Sequence, residues 1–166
     1  MRYQVVVLDE EIGSSCSIES LSWMMHPSSA PTGVFPNFKI YLGHCSSDLL
    51  GSNFMNNYVG GSRTLVFESA TFTYSGTPDN WIPIDLETAF EFNSDYNLII
   101  EIIWEPVATG SVYTYIWNSG EVRMVWQPDP TSPTGTLSSS LPYLWIDYSA
   151  PGELGQSTFG AIKAAF

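Results

Sequence analysis

Apolar and polar positions alternate along most of the chain, punctuated by Gly, Pro, Asn, Asp and Ser. β-Branched and aromatic residues fill the segments between these breaks, the pattern of strands rather than helices. Strands are predicted near 3–9, 16–25, 36–43, 64–74, 80–86, 96–105, 111–118, 121–127 and 142–149. Ile18, Leu21 and Trp23 lie near one face of the second, and Phe38, Ile40 and Leu42 do so in the third. In 64–74 the phase of Leu65 and Phe67 changes before Phe72 and Tyr74, which predicts a bulge at Ser69-Ala70. Leu98-Ile99-Ile100-Glu101-Ile102-Ile103-Trp104 is nearly continuous apolar, as in a central strand covered on both faces.

Asn118-Ser119-Gly120 reads as a hairpin turn. The prolines within 127–135 exclude a central strand there, because they remove ladder donors. Many short strands with almost no helix make an all-β, antiparallel sandwich or barrel. No break is long enough for a domain linker, so 1–150 is expected to be one module. Residues 151–166 form a connector and tail in which Phe159, Ile162 and Phe166 sit at helical spacing. So short an amphipathic turn does not hold alone in water. It is expected to dock on its own domain, to dock on a neighbour as an interface peg, or to stay disordered.

Composition narrows the partners. Only 13% of residues are charged, about half the usual share. Seventeen acids against five bases give a formal charge of −12, which excludes a nucleic-acid binder and a polybasic membrane anchor. No apolar stretch reaches the ~20 residues of a membrane-spanning helix. The run Tyr3–Leu8 is too short, and too soon followed by Asp9-Glu10-Glu11, for a signal peptide. Export is expected nonetheless, with a leader already removed.

Candidate chemistry is sparse. Cys16 and Cys45 form either one disulfide or two free buried thiols. With His26 and His44 they number four zinc-type ligands, but no pair has metal-site spacing. Glu101 and Glu105 flank Trp104, as Glu87 and Glu91 flank their own stretch of strand. Four residues along a strand separate such groups by ~13 Å, too far for paired-carboxylate hydrolysis. Both pairs are expected on a solvated outer face, and no catalysis is expected. Asp79-Asn80, Asn93-Ser94-Asp95 and Asp9-Glu10-Glu11 offer oxygens for calcium, without an EF-hand pattern; the same residues favour turns for local reasons. No other cofactor is indicated. Six tryptophans exceed what one small core can hold with every indole N–H paired. Tyr113, Tyr115 and Trp117 alternate along one strand, and with Trp126 they form a candidate ligand-binding platform.

Asn37-Phe38-Lys39-Ile40-Tyr41-Leu42-Gly43-His44, then Leu65-Val66-Phe67, then Trp81 through Asn93, then Asn97 through Ile102 follow one another in a familiar order. Over residues 3–149 the chain resembles β-sandwich modules of large secreted and surface proteins from Bacteroidetes-like and other environmental bacteria. Its ending, Thr158-Phe159-Gly160-Ala161-Ile162-Lys163, resembles a short T-[WF]-G-x-I-K tag on exported proteins. The resemblance implies an extracellular or cell-surface jelly-roll-like sandwich with no catalytic residues to transfer. Two functions are therefore expected. The first is a non-catalytic structural or adhesive module that contacts copies of itself or another surface protein. The alternative is a carbohydrate-binding module that stacks polysaccharide on the aromatic platform.

Overall fold

Period-two segments pair as the alternation requires. The computed structural model describes residues 1–106 and 109–150. In chain order the strands are β1 (Arg2–Val7), β2 (Cys16–Met24), β3 (Thr32–Cys45), β4 (Thr64–Ser75), β5 (Trp81–Phe92), β6 (Asn97–Ile103), β7 (Ile116–Asn118), β8 (Met124–Gln127), β9 (Thr136–Ser138), β10 (Ser140–Pro142) and β11 (Leu144–Ser149). One helical turn, α1 (Asp9–Ile12), follows β1 and ends at Gly13, whose φ of 90° suits glycine.

Six strands form one antiparallel sheet in the order β4-β3-β6-β1-β8-β9. Three more, β11-β2-β5, form the opposing sheet, and β10-β7 is a separate two-stranded ribbon. The protein is an all-β sandwich. Its main core lies between the sheets, where Val5, Val7, Ile40, Leu42, Leu98 and Ile100 meet Ile18, Leu21, Ile84 and Ile146.

The expected phase change in β4 exists, but not as a bulge at Ser69-Ala70. Phe67 and Phe72 both reach Phe38, at 6.1 and 4.5 Å between ring centroids, so both face the core. Pro36 still pairs with Thr71 and Phe38 with Ser69, so the register is unbroken there. Both strands turn together, with Asn37 at φ 48°. The register shift lies between Ile40 and Tyr41, opposite Phe67 and Leu65. The third strand is longer than the prediction, because residues 32–35 pair with the far end of β4.

The large sheet has a second covered face. Val6, Cys45, Ile99 and Val125 point away from the main core and pack under Leu50, Phe54 and Tyr58 of the 46–63 loop. This loop contains two 3₁₀ turns, Met55–Asn57 and Val59–Gly61. Backbone bonds from Phe54 to Pro133 (3.1 Å) and from Gly135 to Ser52 (2.8 Å) tie it to the Pro-rich loop after β8. Gly43 of β3 is the point of closest approach. A Cβ there would lie 2.5 Å from the Tyr58 ring and 3.1 Å from the Ser62 carbonyl. Gly43→Ala is expected to lower stability by ~1–3 kcal/mol through overpacking, measured by urea unfolding.

Candidate functional site

Two faces concentrate chemistry, and the first is beneath the 46–63 loop. Alternation along β1 and β6 sends Arg2, Gln4 and Glu101 to the covered face of the large sheet. Glu101 is 0% exposed. Its Oε1 accepts from Arg2 Nε, and its Oε2 accepts from Arg63 Nη1 and from the Tyr58 hydroxyl at 2.7 Å. Arg2 lies 4.1 Å from the centre of the Phe54 ring, and Arg63 lies 3.8 Å from that of Tyr41. Beside them Gln4 Nε2 donates to the Phe54 carbonyl (3.0 Å), while Asn57 Nδ2 donates to Gln4 Oε1 (2.9 Å). Asn57 also closes its own loop through Gly51, donating to its carbonyl and accepting from its N–H.

The electrostatics of this cluster are those of a lock. Burial, then the neighbouring carboxylate, pushes the Tyr58 phenol well above its ordinary pKa, so it stays a donor. Burial is the largest single effect on Arg63 and pulls it down, but the Glu101 charge and hydrogen bond together with Tyr58 and Tyr41 outweigh it and hold the guanidinium above its usual value. Both carboxylate oxygens of Glu101 are engaged, which leaves a poor general acid or base. The sequence reading of Glu101 as a solvated outer-face residue is therefore corrected, since the loop covers that face. Glu105, by contrast, is exposed and bonds Asn37.

The second face is the outer surface around 113–115. Tyr113 is 54% exposed. Tyr115 meets His26 at 4.9 Å and Tyr143 at 5.7 Å, and its hydroxyl donates to Asp79. The rings are inclined at 60° and 57°, which makes a notch rather than a flat shelf. Trp117 leaves this surface and packs against the main core, because β7 starts at Ile116 and pairs Trp117 with Leu141. Trp126 pairs with Tyr3 in the large sheet. The expected four-ring platform is thus distributed over separate places. No family model, curated protein or solved structure matches the chain. Function rests on the geometry alone.

The remaining candidates have local employment. Cys16 and Cys45 are free and buried, so the disulfide is not formed. Cys16 faces the main core while Cys45 faces the 46–63 loop, on the other side of the large sheet. Burial pushes the Cys16 thiol up to about 11 and raises that of Cys45, which suppresses thiolate chemistry. Among the described residues no three His, Cys, Asp or Glu side chains converge as a metal site. The acidic turns considered for calcium spend oxygens locally. Asn93 accepts from the Asp95 N–H, Asp79 from Tyr115, and Glu11 from Arg123 (3.1 Å). Phe159, Ile162 and Phe166 lie outside the described residues.

His44 packs among Phe90, Phe92 and Tyr96, and its Nε2 accepts from the Asn93 N–H at 2.9 Å. Burial lowers its pKa, so the folded chain favours the neutral ring. Its contribution is full above pH ~6.5 and is lost as pH falls from there through the folded value. Unfolding free energy measured between pH 7 and 5 is expected to drop, and His44→Gln should flatten part of that drop.

Proposed function

We propose that the chain is a non-catalytic structural or adhesive β-sandwich module of the extracellular space or cell surface. In this reading it contacts copies of itself or another surface protein through an aromatic surface. The observation that carries it is the outward notch of Tyr115, Tyr143 and His26, in the same stretch of surface as the exposed Tyr113. Tilted rings of this kind grip a protruding side chain, whereas a carbohydrate-binding platform uses a planar row. The buried ionic cluster supports the same reading, because it fastens a loop rather than facing a substrate.

Charge sets how such contacts behave. Arg2, Arg63 and Arg123 direct their charge to Glu101 and Glu11, so Lys39, beside Glu68 at 3.5 Å, is the one remaining side-chain cation among the described residues. Copies approaching one another therefore meet a nearly uniform negative surface, whose repulsion salt screens. Self-association followed by light scattering is expected to rise between 20 and 500 mM NaCl. Tyr113→Ser and deletion of 153–166 should each reduce it. A chain that stays monomeric at every salt and is indifferent to both changes contradicts the assembly reading, and a polysaccharide screen then decides for the carbohydrate alternative.

A further inference from the structure

An unpaired sheet edge offers a row of backbone donors and acceptors to a further strand, and proteins blunt such edges with short strands, prolines, charges and bulges. Three of the four edges of this sandwich are blunted in those ways. β9 has three residues, and β11 has six with a register break at Asp147-Tyr148. β5 carries Pro83, Asp85, Glu87 and Glu91, and its pairing with β2 breaks between Asp85 and Phe90.

The fourth edge, β4, has none of these guards along 67–74. It ends the large sheet and pairs only with β3 among the described residues. This stretch extends ~26 Å. It contains no proline and one charge, Glu68, which lies 3.5 Å from Lys39. Phe67 and Phe72 pack against the main core but stay partly exposed, so a strand laid along this edge would cover ring surface as well as backbone.

The order of faces along the stretch identifies the strand that fits it. Residues opposite one another in an antiparallel pair share a face. Phe67, Ser69 and Phe72 therefore lie on the core face, opposite Ile40, Phe38 and Phe35, as does the buried Tyr74. Glu68 and Thr73 lie on the outer face, opposite Lys39 and Val34, and Ala70 and Thr71 are exposed where the phase changes. The order of faces thus reads the same in both directions from the midpoint of Ala70 and Thr71.

A second copy of this strand, turned by a two-fold axis perpendicular to the sheet at that midpoint, runs antiparallel and keeps its faces. It meets the first core to core and outside to outside throughout 67–74. Phe67 then stands opposite the second copy's Tyr74, Ser69 opposite its Phe72, and Glu68 opposite its Thr73. A slip of one residue sets core positions against outer ones, and a slip of two does so at the centre, where the phase changes. No acid faces an acid in the matched register.

We propose that β4 is a homodimer interface, in which two copies pair antiparallel through residues 67–74 and join their large sheets into one. It goes beyond the adhesive reading, because it uses other residues than the notch and needs none of them.

Sedimentation velocity of the full chain, from about 5 to 500 μM in roughly 150 mM NaCl, is expected to show a monomer–dimer equilibrium with Kd on the order of 10–100 μM. Thr73→Glu places two acidic pairs across the axis and should weaken the dimer about fivefold. Thr73→Lys, at the same exposed site, places two opposite-charge pairs there and should not weaken it. Glu68→Lys combined with Thr73→Glu should restore the dimer. Hydrogen exchange at high and low concentration should show protection gained within 67–74 and not within 81–92, a readout that needs no variant. Tyr113→Ser should leave this dimer unchanged, so failure of the notch and failure of the edge are read separately. A chain monomeric at the highest concentration, equal effects of Thr73→Glu and Thr73→Lys, or protection gained only outside 67–74 would overturn the proposal.

Discussion

Glu101→Gln is expected to lower the free energy of unfolding by ~3–5 kcal/mol, one of the two largest single effects predicted for this chain. The substitution preserves shape and still offers an acceptor to Tyr58. What it removes is the charge that lets Arg2 and Arg63 sit side by side under the loop. Arg2 is 7% exposed and among the described residues has no other carboxylate, its further contacts being the Phe54 ring, the Met55 sulfur and the Ser132 carbonyl. The cost is therefore that of a stranded cation rather than a lost attraction. A double replacement, Arg2→Met with Glu101→Leu, tests this distinction. It removes more contacts than Glu101→Gln, yet should cost less, because what it leaves unpaired is the partly exposed Arg63 and the neutral Tyr58 hydroxyl, and no buried cation. Urea unfolding of both variants decides it, and a double variant weaker than the single would refute the stranded-charge account. Against a typical total of about 5–15 kcal/mol, the single change leaves a marginal protein.

The sequence carried half of what was needed to foresee this. The run from Leu98 to Trp104 marks a strand covered on both faces, and β6 is buried along nearly its whole length. That reading already conflicts with a solvated Glu101. The conflict stayed hidden because the cover comes from 46–63, whose Ser, Gly and Asn content reads as an exposed loop. Its one signal is the spacing of Leu50, Phe54 and Tyr58, four apart, which presents three apolar side chains to the sheet. A buried ionic cluster assembled from β1, β6 and a distant loop has no local signature.

Other differences have equally local causes. Alternation from Tyr113 to Trp117 assumes one uninterrupted strand, but Thr114 makes only an isolated bridge to Met25 and the ladder with β10 begins at Ile116, so Tyr113 and Tyr115 stay outside while Trp117 turns in. The surplus of tryptophan was legible, and its consequence fell on Trp23. Trp145 satisfies its N–H with Asp147 at 2.7 Å, whereas the buried indole at Trp23 is left without a partner. Cysteine parity misled because it carries no information about which face each thiol occupies.

Phe54→Ala should cost a similar ~3–5 kcal/mol, by a different mechanism. Phe54 is 0% exposed and stands at the centre of the second core. Truncating it opens a cavity and removes the ring over which Arg2 lies, and the second loss is the smaller, at about 0.5–2 kcal/mol. Phe54→Leu restores most of the volume without the ring, so the difference between the two variants separates packing from the cation–ring contact. Hydrogen exchange should place the damage: amides of 46–63 should lose protection first, while Ile40 and Ile100, in the main core, should follow only the global change. Equal loss of protection at both places would mean that the loop and the sandwich unfold as one unit. Because Phe54 and Glu101 share Arg2 as a partner, their effects should not add. The Phe54→Ala, Glu101→Gln double variant is expected to be less destabilised than the sum of its singles by about 1 kcal/mol or more, since a loop already loosened lets water reach the stranded guanidinium.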